Sequence, residues 1–110
     1  METPGIVKSL QVQRTELAME NRLIRFRLWV AHGSRSEFAE TIFQAERTGE
    51  ALALLDSSSH EPLGLVKVTS QTLQSLGKTN FDQWIIHFHP EDAKAHETMA
   101  TLPEIHPDPY

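Results

Sequence analysis

Phe81-Asp82-Gln83-Trp84-Ile85-Ile86-His87-Phe88-His89 is the stretch on which the fold turns. Aromatic and β-branched residues crowd it, and apolar groups fall on both faces of an extended chain, which predicts a strand near the centre of a sheet. In that conformation Trp84, Ile86 and Phe88 anchor into the interior, while His87 and His89 project together from the opposite side.

The segments before it repeat the same logic. In residues 22–31, Ile24, Phe26, Leu28 and Val30 alternate with Leu23, Arg25, Arg27 and Trp29. That is a period of two, and it predicts a second strand with one buried row. Residues 6–13 predict another, with Ile6, Leu10 and Val12 on its inner side. Between them, Thr15–Arg22 fits either a hairpin turn near Glu20-Asn21 or a helix, because Ala, Met, Leu and Glu favour helices. Residues 51–55 and 65–69 are short apolar runs separated by the polar link Asp56–Pro62, a pattern that predicts a β-hairpin.

Two or three helices are expected. Gly33 ends a strand, and Ser34 with Glu37 has the spacing of a capping box. Such a box opens a helix over about 35–47, with Phe38, Ile42 and Ala45 on one stripe, Phe43 beside it, and Gly49 past its last turn. Ser70–Leu76 predicts a short helix closed by Gly77. Pro90 suits the first position of a helix over about 90–102, where Glu91 and Asp92 complement the helix dipole. The expectation is therefore an α+β domain: a mixed sheet of four or five strands with two or three helices mainly on one face, in the approximate order β-β-α-β-β-α-β-α. Residues 1–102 form this single domain, and 103–110 form a proline-rich tail that cannot continue a helix.

Composition narrows the function. The 110 residues suit one domain, and there is no run of about 18 apolar residues to span a membrane. The N-terminus shows no secretory signal, which makes the cytoplasm the expected location of a small soluble protein. The chain has no cysteine, so disulfides, thiolate metal sites and cysteine nucleophiles are excluded. Its five isolated glycines form no phosphate-binding loop, and no Gly-x-Ser-x-Gly elbow accompanies its serines. The net charge of −5 disfavours general nucleic-acid binding. Charge is unevenly placed, however: residues 1–50 carry seven bases and seven acids, while residues 51–110 carry three and eight. Every arginine lies in the first 47 residues.

Two candidate sites follow. In a strand, His87 and His89 lie on one face with Cα atoms about 6.5–7 Å apart, close enough to share a divalent metal. Asp92 and His96, four apart on the next helix, are the candidate further ligands, and an open metal position would support hydrolysis. The commoner use of a lone His-x-His pair is a polar sheet surface. The second site is Arg25, Arg27 and Trp29 on the exposed strand face. It suits a protein partner, or single-stranded nucleic acid held by stacking and bidentate hydrogen bonds, although such arginines more often pair with cross-strand glutamates. With no assembled catalytic set, the leading expectation is a non-catalytic binding or regulatory protein acting through protein–protein contacts as a homodimer. A small metal-dependent hydrolase is the alternative.

Overall fold

The structure, a computed structural model, describes residues 8–31, 37–75 and 81–105. They form six strands and two α-helices: β1 (Lys8–Val12), β2 (Leu17–Glu20), β3 (Leu23–Ala31), α1 (Glu37–Thr48), β4 (Leu52–Asp56), β5 (Pro62–Ser75), β6 (Phe81–Pro90) and α2 (Ala93–Ala100). A single 3-10 turn at Arg14–Glu16 precedes β2. One mixed sheet runs in the order β1-β4-β5-β6-β3-β2, and all its pairings are antiparallel except β1 with β4.

This architecture overturns the expected count of four or five strands and the order β-β-α-β-β-α-β-α. The observed order is β-β-β-α-β-β-β-α. Two segments account for the difference. Thr15–Arg22 becomes a strand and a tight hairpin, because Asn21 and Arg22 both take positive φ, 53° and 65°. Two left-handed residues match the twist of the strands they join. Ser70–Ser75 is the continuation of β5 and not a helix. An irregularity in register between Val68 and Ser70 inserts one residue, which shifts the alternation, so that Gln71 lies across from Ile86 and Leu73 from Trp84. The shift has a chemical result: the indole N–H of buried Trp84 donates to Gln71 Oε1 at 2.8 Å. The proposed helix stop at Gly77 lies outside the described residues.

β6 sits between β5 and β3, where its composition placed it. Trp84, Ile86 and Phe88 are almost wholly buried, and across the pairing Ile24 faces Phe88, Phe26 faces Ile86 and Leu28 faces Trp84. The row foreseen in β3 is therefore the inner row of the sheet. Leu10 and Val12 of β1 join it, while Ile6 lies outside the described residues.

Both helices cover this inner face. Ile42 and Ala45 of α1 are buried, the Phe43 ring lies 5.5 Å from that of Trp84, and Gly49 adopts φ +75° just past the helix end. Ser34, half of the expected capping box, and the Phe38 side chain lie outside the described residues. The second helix starts later than expected. Pro90 is the last residue of β6, and Asp92 is the N-cap, accepting from the Ala95 N–H at 2.8 Å and the Leu65 N–H at 3.1 Å. One carboxylate oxygen thus satisfies a free helix N–H and ties the helix to β5. Ala95 packs directly over Gly64, and Thr98 donates to the Leu63 carbonyl at 2.8 Å.

Beyond α2, residues 103–105 run along β2. The Met19 N–H donates to the Pro103 carbonyl at 2.8 Å, and the Ile105 N–H donates to the Met19 carbonyl at 2.7 Å.

Candidate functional site: the outer sheet face

Strand alternation that sends Ile24, Phe26 and Ile86 inward sends Arg25, Arg27, Trp29, His87 and His89 outward. The two candidate sites read separately from the sequence therefore share one face, and Arg25 stands directly opposite His87 across the β3–β6 pairing. Glu20, the last residue of β2, lies against both. Its Oε1 is 2.6 Å from His87 Nε2 and 3.9 Å from Arg25 Nε. Arg27 Nε donates to Glu16 Oε2 at 2.8 Å, and its guanidinium carbon lies 5.5 Å from the centre of the Trp29 ring. The hydrogen bond from Arg27 to Glu16 and the accompanying charge attraction raise the guanidinium pKa above its already high ordinary value.

The arginine row is consequently neutralised where it stands. Among the described residues, two glutamates balance the two arginines of this row, which leaves the row itself without the surplus of positive charge that displaces counterions from a nucleic-acid backbone. Beside the row, Thr15, Glu16, Ala18, Arg25, Arg27 and Ile105 line an open cleft of about 210 Å³. That is smaller than the roughly 300 Å³ at which ligand pockets usually begin.

His87 and His89 do project to the same side, but each is held by a different carboxylate. His89 Nδ1 lies 2.6 Å from Glu91 Oε2, and Lys67 Nζ lies 3.6 Å from Glu91 Oε1. The hydrogen bond with His89 is the main cause holding the Glu91 carboxyl below its usual pKa; desolvation opposes it and the Lys67 charge adds to it. The other proposed ligands point elsewhere. Asp92 is committed to the Leu65 and Ala95 amides, and His96 is exposed on a helix that covers the inner face. Among the described residues, no three His, Cys, Asp or Glu side chains are grouped so as to hold a metal.

Sequence reasoning missed Glu16 and Glu20. The signal for Glu20 was present, since a two-residue turn at Asn21-Arg22 sets it opposite Leu23 and diagonal to Arg25. It also missed the apolar end of the sheet. Trp29, Phe43, Leu73 and Phe81 are 46%, 45%, 55% and 51% exposed, and all four surround the rows of residues 81–84.

Comparison of the chain with protein-family models, with curated proteins and with solved structures finds no match. Among the described residues, no helix is long and apolar enough to cross a membrane.

Proposed function

We propose that this protein is a non-catalytic binding or regulatory protein that acts through protein–protein contacts as a homodimer. The observation that carries the reading is the apolar end of the sheet, where Phe43 and Leu73 stand beside Trp84 on one face and Trp29 and Phe81 are diagonal neighbours on the other. Four large apolar side chains, each about half exposed at one end of so small a domain, favour a surface that another protein covers. Neutralised arginines favour the same reading, because paired charges at the rim of a contact add specificity without drawing polyanions.

Size-exclusion chromatography with light scattering tests it. The expected mass is twice the 12.5 kDa of the chain. A monomer at every concentration at which the protein stays dissolved overturns the homodimer.

A further inference from the structure

β5 is fourteen residues long, but β4 pairs only with its first part, Pro62–Val66. From Thr69 to Ser75 one side of β5 is bonded to β6, and among the described residues no strand pairs with the other side. Among the described residues, the backbone groups on that side therefore form an open row of donors and acceptors. The remaining two edges are guarded. β2 carries Glu20 and is lined by residues 103–105, and β1 is only five residues long and carries Lys8. Thr69-Ser-Gln-Thr-Leu-Gln-Ser75 has no charge, no proline and no glycine. Its residues Ser70, Thr72, Leu73 and Gln74 are exposed.

We propose that two copies of this chain join by antiparallel pairing of Thr69–Ser75 across a two-fold axis at Thr72, which merges their sheets into one. This inference rests on the homodimer reading above and names the surface that forms it. Residues facing each other across an antiparallel pair share a sheet face. An axis at Thr72 therefore sets Thr72 against its own copy and Ser70 against the partner's Gln74 on the outer face. On the inner face it sets Leu73 against the partner's Gln71. A second copy is the occupant that the uncharged edge suits. Each chain carries −5, so most approaches between copies are repulsive, but this edge opposes no like charges. Leu73, the most exposed of the large apolar residues among those described, at 55%, is carried into the same contact.

The cysteine-free chain makes the register directly testable. A Thr72→Cys variant brings two like residues about 4.5–5.5 Å apart at Cα, within disulfide range. Under mild oxidation it gives a covalent dimer, whereas Gln11→Cys, exposed on β1, does not. Thr72→Lys sets two ammonium groups face to face and weakens dimerisation at least about tenfold. Thr72→Ser leaves it unchanged, and circular dichroism shows the same fold in all variants. A dimer that survives Thr72→Lys and gives no crosslink through Thr72→Cys overturns the edge pairing while leaving the homodimer standing. A monomeric parent protein overturns both.

Discussion

Replacing Gly64 by alanine tests how α2 is held to the sheet. Gly64 has φ +119°, a conformation almost confined to glycine, and a Cβ built there falls on the backbone of Ala95, 2.5 Å from its Cα. Neither atom group has room to yield, because the Asp92 carboxylate and the Thr98 hydroxyl fix α2 to Leu65 and Leu63 on either side of Gly64. Backbone strain of about 1–3 kcal/mol adds to an overpacking cost of about 1–3 kcal/mol. The sum, roughly 2–6 kcal/mol, is a large part of the 5–15 kcal/mol that stabilises a typical domain. For a chain of this size each kcal/mol lowers Tm by roughly 4 °C, so a mid-range loss lowers it by about 15 °C. Urea unfolding followed by tryptophan fluorescence gives the free energy, with buried Trp84 as reporter. Gly49→Ala is the matched control: its φ is +75°, but nothing lies within 4 Å of the added methyl. It carries the left-handed cost alone, about 1–2 kcal/mol. If Gly64→Ala is no more destabilising than Gly49→Ala, close packing of α2 on Gly64 is not what holds the helix.

Asp92→Ala removes the acceptor for two amides and costs roughly 2–3 kcal/mol, while Asp92→Asn recovers most of it; faster hydrogen exchange at the Ala95 and Leu65 amides is the specific readout, and unchanged exchange contradicts the cap. The Glu91 carboxyl is held below its usual pKa chiefly by the His89 hydrogen bond, and His89→Ala raises it, which carbon NMR of the side chain follows. Because its folded pKa is depressed, the Glu91 interaction stabilises the protein above the ordinary carboxylate range, and this contribution is lost as pH falls through the folded value. A Glu91 titration indifferent to His89→Ala refutes the assignment of cause.

The inner row of β3 and the buried row of β6 were legible because each is written in consecutive residues. The alternation of Ile24, Phe26 and Leu28 with Arg25, Arg27 and Trp29 places every side chain once the strand is granted. The hairpin from β4 to β5 and the left-handed Gly49 were legible for the same local reason. Ser70–Ser75 was not. A bulge at Thr69 breaks the period of two, and Leu73 with Leu76 imitates a helical spacing, so only the pairing with β6 reveals the strand. The candidate sites divide in the same way. The outward direction of His87, His89, Arg25 and Arg27 followed from alternation, but their shared face depends on β3 lying beside β6. Their glutamate partners depend on β2 lying beside β3.

Sequence alone determined that β1, β3, β4 and β6 extend, which of the β3 and β6 rows turn inward, and that Arg25, Arg27, Trp29, His87 and His89 leave the sheet on the other side, because steric preference and side-chain alternation act between near neighbours in the chain. Tertiary structure decided that β1 runs parallel to β4, that the arginines are neutralised, that Asp92 serves as a cap, and that one edge of β5 outlasts its neighbour. Those outcomes depend on which distant segments bury each other's apolar faces, and the free energy of that choice belongs to the assembled sheet and not to any single stretch of residues.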